Sequence, residues 1–145
     1  MSVESPGPTS VTVLAVLSEV DLAEVRKIFR HTRWALRAAA SLSQAAIQLR
    51  EGDTGVVLCD AVLPDGSWLD VLDEAQRLPA PPPVLVASRQ ADDFLWTEVL
   101  GRGGYNLVET PFRADELCRL VSLAWRHWKQ SGTAPGPRSI SAGNP

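Results

Sequence analysis

Four consecutive apolar residues, Val56-Val57-Leu58-Cys59, run directly into an acid, Asp60, and then into Ala61-Val62-Leu63-Pro64-Asp65-Gly66. An apolar run this short, with no polar face, reads as a strand buried on both sides, the kind that parallel sheets covered by helices contain. Pro-Asp-Gly is turn chemistry, so Asp60 leads from the carboxyl end of the strand into an exposed loop. In open α/β sheets that end is where ligands and chemistry gather. Asp60 is therefore a candidate nucleophile or metal ligand, against the plainer alternative of a carboxylate that only caps a turn.

The rest of the chain repeats the pattern. Val11 to Leu17 and Val84 to Ala87 are further buried strands, and Trp34-Ala35-Leu36 and Leu107-Val108 are shorter ones. Between them lie stretches with apolar residues at helical spacing. Asp21 to Arg30 carries Leu22, Val25 and Phe29. Ser41 opens a helix with Gln44 three residues on, as a capping box wants, and Gly52 closes it. Trp68 to Leu78 is ended by Pro79-Ala80-Pro81-Pro82-Pro83. A helix capped by Asp92 or Asp93 carries Trp96, Val99 and Leu100 and stops at Gly101 and Gly103-Gly104, and Arg113 to Lys129 forms the last. Strand and helix thus alternate five times, which implies a parallel sheet with helices on both faces. The expected architecture is α/β, a flavodoxin-like doubly wound five-stranded sheet in the order 2-1-3-4-5. Its crevice would lie between strands one and three, lined by the residues after Leu17 and after Cys59.

Composition narrows the class. At 145 residues there is room for one domain. Residues 1–10 read as a flexible tail, 11–130 as the folded domain, and 131–145, rich in Gly, Pro and Ser, as a flexible tail or linker. A net charge of −3 with dispersed Lys and Arg gives no footprint for nucleic acid. No apolar run approaches the ~20 residues of a membrane span, and the N-terminus lacks the order of a secretory signal. Cys59 and Cys118 lie in apolar segments without metal spacing, which suits a reducing, cytoplasmic compartment.

The carboxyl ends of the strands carry Ser18 and Glu19, Asp60, Ser88, and Thr110-Pro111-Phe112. Together with Leu63-Pro64-Asp65-Gly66 and Gly103-Gly104-Tyr105-Asn106, in this order and spacing, the layout resembles the receiver domain of two-component response regulators over roughly residues 11–129. The resemblance implies that Asp60 accepts a phosphoryl group from a histidine kinase or phosphotransfer protein. It implies that Ser88 hydrogen-bonds the attached group and acts in the switch. It further implies Mg²⁺ held by Asp60, the backbone carbonyl of Val62 and, as the nearest acid after strand one, Glu19. The chain departs from the family twice. The usual acid pair after strand one falls on Leu17 and Ser18, and the usual Lys before Pro-Phe is Thr110. Arg89 and Arg113 are the nearby cations. A charge-assisted hydrogen bond is worth about 1.5–3 kcal/mol, so loss of the Lys alone weakens phosphoryl stabilisation by about one to two orders of magnitude. The switch aromatic on strand five falls on Leu107, and Tyr105 reads as a packing residue.

These departures leave two functions open. One is a phosphoacceptor module with output through an unidentified downstream effector protein. The other is a degenerate receiver that binds partners independently of phosphorylation. The strand ends offer no second nucleophile, no Ser-His-Asp order and no Gly-rich phosphate loop, so an enzyme is not expected. His31 and His127, at helix ends, carry no expected role. Trp68 is expected to pack rather than to shield Asp60. Leu117, Leu120, Val121, Ala124, Trp125 and Trp128 form a wide apolar stripe on the last helix, which either covers the sheet edge or supports a homodimer.

Overall fold

The computed structural model describes residues 11–131. The readings made for residues 1–10 and 132–145 lie outside the described residues. The chain runs β1 (Thr12–Val16), α1 (Glu19–Phe29), β2 (Ala35–Ala39), α2 (Leu42–Glu51), β3 (Val56–Asp60), a hairpin of β4 (Val62–Leu63) and β5 (Gly66–Ser67), α3 (Trp68–Gln76), β6 (Val84–Ser88), α4 (Asp93–Arg102), β7 (Asn106–Glu109) and α5 (Ala114–Ser131). The five-stranded sheet has the order β2-β1-β3-β6-β7, and every pairing in it is parallel.

The unbroken apolar strands follow from this layering. Val13, Ala15, Val56, Leu58, Leu85 and Ala87 face one core with Val25 and Phe29 of α1 and Leu117 and Val121 of α5. Leu14, Val16, Val57, Cys59, Val84 and Val86 face the other, with residues of α2, α3 and α4. Alternate side chains enter different cores, so the apolar positions of the central strands are shielded from water on both faces.

Helix ends are satisfied locally. Ser18, Ser41, Ser67 and Asp92 cap α1 to α4. The expected capping box at α2 is shifted: Gln44 accepts from the N–H of Ala40 at 2.9 Å instead of from Ser41. A complete box occurs at α3, where Ser67 and Asp70 serve each other's backbone. A Cβ on Gly66 would stand 2.7 Å from Asp70 Oδ2 and 2.9 Å from Leu42 Cδ2, so a larger residue there would have to displace both side-chain ends, one of them part of that box. Gly103 ends α4 in the left-handed region at φ 102°.

The Pro-Asp-Gly segment does more than turn. Asp65 accepts from the N–H groups of Leu42 (2.7 Å) and Ser43 (3.1 Å) and from the Ser43 hydroxyl (3.0 Å), which ties the hairpin to the N-terminus of α2. The Leu42 N–H foremost holds the Asp65 carboxyl below the usual carboxylate range. A lowered folded-state pKa stabilises the fold above the ordinary carboxylate value of about 3.9 and is lost as pH falls through the folded value. Asp65→Ala is therefore expected to melt below wild type at pH 7, with the gap closing on acidification below pH 4 in paired thermal melts.

β2 is longer than Trp34-Ala35-Leu36. It is an edge strand, half-exposed along most of its length, and its alanines and Arg37 give little hydrophobic signal. Trp34 precedes it and packs edge-on against Phe29, with ring centroids 5.1 Å apart. Much of the stripe on α5 is taken up by the chain's own fold. Leu117, Leu120, Val121 and Ala124 are buried, Trp125 lies against Gly55, and the Trp128 indole donates to the Ala80 carbonyl at 3.2 Å. The buried part of the stripe thus covers the sheet, while Trp125 and Trp128 stay partly exposed. Of the exposed large apolar side chains, Phe94, Trp96 and Leu100 lie on α4.

Candidate functional site

The strand order reverses at β1, with β2 on one side and β3 on the other, so the crevice opens at the carboxyl ends of β1 and β3. An open cleft of about 360 Å³ lies there, lined by Ser18, Asp21, Asp60 and its two followers, Ser88, Arg89 and Thr110 among others. Register explains the convergence: Cys59 is opposite Val16, Asp60 opposite Ala87, and Ser88 opposite Glu109, so the chain leaves each strand at nearly the same level.

Asp60 is half-buried at the mouth of β3, and its Oδ2 accepts from the backbone N–H of Ser18 at 3.4 Å. Burial, and then the Asp21 carboxylate, push its carboxyl above the usual range, while the Ser18 N–H and Arg89 draw it partway back. Two carboxylates facing one cleft repel each other, and the site is suited to a cation. Ser88 is half-buried, and its Oγ accepts from the Gln90 N–H at 3.0 Å. Thr110 is buried, lines the cleft, and donates its N–H to the Ser88 carbonyl at 3.1 Å.

Glu19 does not reach this cleft. It is exposed on the first turn of α1, and the acid that faces Asp60 is Asp21. The helix begins two residues earlier than its apolar spacing suggested, with Ser18 as N-cap, which turns Asp21 inward. Ser-x-x-Asp immediately after a buried strand was the available signal for an acid held at this level. The Ser18 N–H that a full capping box would have offered Asp21 goes to Asp60 instead. Asp21 is left to Arg89, whose Nη2 is 3.5 Å from Asp21 Oδ1. Arg113 is exposed and does not line the cleft.

Mg²⁺ takes one or two carboxylates together with waters and phosphate oxygens. Asp21 and Asp60, with the carbonyl of Val62 at the same rim, fit that donor set. Among the described residues there is no group of three or more His, Cys, Asp or Glu for a self-sufficient metal site.

The remaining sequence candidates pack. Trp68 is buried in the core of β1, β3 and β6 with α2, α3 and α4, and its backbone N–H donates to the Ala61 carbonyl beside Asp60. Leu107 is partly buried against the same core. Tyr105 packs on the opposite core, and its hydroxyl meets His127 Nδ1 at 2.6 Å, which gives a histidine set within α5 a structural partner.

Residues 18–122 match the sequence pattern of the response regulator receiver domain. The chain belongs to that family. The receiver domain is 36% identical over 120 residues to TcrX of Mycobacterium tuberculosis, described as a probable transcriptional regulatory protein. That match takes in 80% of this chain and 50% of TcrX, so the chain spans about half the length of that relative. Among solved structures, a signal receiver domain from Vibrio parahaemolyticus superposes with a TM-score of 0.77 at 23% identity, over 88% of this chain and 98% of that one. The receiver domain of Ssk1 from Saccharomyces cerevisiae, crystallised with the histidine phosphotransfer protein Ypd1, superposes with a TM-score of 0.74 at 14% identity, over 81% and 90% of the two chains. The receiver domain is thus a module of two-component signal transduction. No helix among its described residues is long and apolar enough to cross a membrane.

Proposed function

We propose that this receiver domain accepts a phosphoryl group on Asp60 from a phosphohistidine donor and passes the signal on by protein contact. The observation that carries the reading is the meeting of Asp60, Asp21, Ser88 and Thr110 in one cleft at the topological switch point. An Asp60 oxygen attacks phosphorus while the phosphorus–nitrogen bond to the donor imidazole breaks. The nitrogen keeps the bonding pair and is protonated, and an acyl phosphate is left on Asp60. Mg²⁺, when bound, neutralises charge on the phosphoryl oxygens. Asp21 and Asp60 would hold it, with the Val62 carbonyl. The Ser88 hydroxyl is placed to donate to the attached group, in exchange for its present contact with Gln90. In this reading the domain is an acceptor and not an enzyme. A histidine phosphotransfer protein, as in the Ssk1 complex, is the class of donor it would meet. The free thiols of Cys59 and Cys118 suit the cytoplasm.

Thr110 favours a second reading. It is buried and uncharged where the family places a cation, which suits a module that binds its partner whatever the state of Asp60. Acetyl phosphate with Mg²⁺ separates the two readings. The phosphoacceptor reading expects the intact mass to rise by one phosphoryl group, with a gain that is stable to EDTA once formed and is released by hydroxylamine. An unchanged mass under conditions that bind Mg²⁺ would favour the phosphorylation-independent module.

A further inference from the structure

We infer that Arg89 is a displaceable cation of the cleft: it holds Asp21 while Asp60 is free, competes there with a divalent cation, and moves to the oxygens of a phosphoryl group attached to Asp60. The transfer to phosphoryl oxygens rests on the phosphoacceptor reading; the competition for Asp21 does not.

Three observations support it. First, Arg89 is the one cation among the described residues that line the cleft, and it directly follows Ser88 in the chain. Second, the pair is asymmetric. The Asp21 side chain is 10% exposed and the Arg89 side chain 60% exposed, so a fixed, buried acid is met by a long solvated arm. At 3.5 Å the contact is also longer than the roughly 2.7–2.9 Å of a closed charge-assisted hydrogen bond, so little holds the guanidinium in place. Third, Asp60 lines the same cleft as Asp21 and Arg89, so the guanidinium faces both acids. A planar guanidinium matches two oxygens of a phosphoryl group better than it matches one carboxylate oxygen at this distance. Thr110 supplies no competing positive charge.

A cation that neutralises Asp21 before Mg²⁺ arrives must raise the Mg²⁺ concentration needed, and one that contacts the phosphoryl group afterwards must retain it. Mg²⁺ alone, titrated calorimetrically into wild type and Arg89→Ala without any phosphoryl donor, tests the first half. Arg89→Ala is expected to bind Mg²⁺ about tenfold more tightly, one unit charge against a divalent ion being worth roughly that factor near a protein surface. The exposed side chain makes a folded variant the expectation. Arg102→Ala, which removes a cation paired with Glu98 on α4, is expected to change nothing. In an Asp21→Asn background the Arg89→Ala effect should shrink, because only the through-space repulsion between the guanidinium and the ion remains. Equal or weaker Mg²⁺ binding by Arg89→Ala, no Mg²⁺ binding by either protein, or an undiminished effect without Asp21 overturns the competition.

Beryllofluoride followed by fluorine NMR at saturating Mg²⁺ tests the second half. The expected result is about tenfold weaker retention in Arg89→Ala, with partial recovery in Arg89→Lys. Unaltered retention overturns the transfer. A wild type that binds Mg²⁺ yet forms no beryllofluoride adduct overturns the phosphoacceptor reading itself and leaves the competition for Asp21 standing.

Discussion

Asp60→Asn is expected to abolish labelling by acetyl phosphate and, at the same time, to raise the melting temperature at pH 7 by about 2–4 °C. Loss of labelling follows from chemistry, since an amide oxygen does not displace a phosphoryl group as a carboxylate does. The gain in stability follows from the cleft. Burial and the Asp21 carboxylate both raise the Asp60 pKa, and the Ser18 N–H and Arg89 offset them only in part. An acid whose pKa is raised on folding contributes stability while protonated and loses it as pH climbs from the unfolded value, about 3.9, through the folded one. The charged Asp60 is therefore a cost at neutral pH, and Asn removes it while still accepting from the Ser18 N–H. The advantage of Asn should shrink as pH is lowered through the raised value and vanish near pH 4. Calorimetric melts of both proteins from pH 3.5 to 7.5 give the comparison. A variant that melts lower than wild type at pH 7 would show that the two acids do not strain the cleft.

Leu58→Ala is expected to cost about 2–5 kcal/mol of folding free energy, toward the upper end of that range. Leu58 is fully buried at the centre of β3, the middle strand, with Ala15 and Leu85 as its register partners. Ala15 and Ala87, which share its face of the sheet, are too small to move into the space it leaves. α1 and α5 are held over that space by their own buried residues, Phe29 and Leu117 among them, so collapse is resisted. Against a total stability of roughly 5–15 kcal/mol, the variant should be partly unfolded at physiological temperature. Urea denaturation measures the loss, read at an unchanged slope. A cost below about 1 kcal/mol would mean that the helices close over the sheet freely. Because Asp60 lies two residues along the same strand, Leu58→Ala should also weaken Mg²⁺ binding, through looser placement of the carboxylate.

The parts of the site that were legible in the sequence are those set by a strand's own end. Asp60 and Ser88 each follow an apolar run directly and Thr110 follows Leu107-Val108 with one residue between, and a strand of known length and direction puts its end at a known level of the sheet. Asp21 was not legible in that way. Its place depends on where α1 starts, and Ser18 moved that start two residues toward the strand, so that Asp21, and not Glu19, turned toward Asp60. The Arg89–Asp21 pair was less accessible still, because each partner is an ordinary charged residue when read locally and they become neighbours only when β1 and β6 flank β3.

The sequence alone determined the order of strands and helices, the two-faced burial of the central strands and the acid at the mouth of β3, because unbroken apolar runs and turn residues act over a few bonds. Tertiary structure decided which face each apolar stripe spends itself on and which charges meet. α5 had the broader stripe, yet the sheet and Gly55 absorbed most of it, while the exposed aromatic residues emerged on α4. Periodicity states how much apolar surface an element carries. How much of that surface is left to water depends on the neighbours that the sheet order supplies, and so does the partner that each buried charge finds.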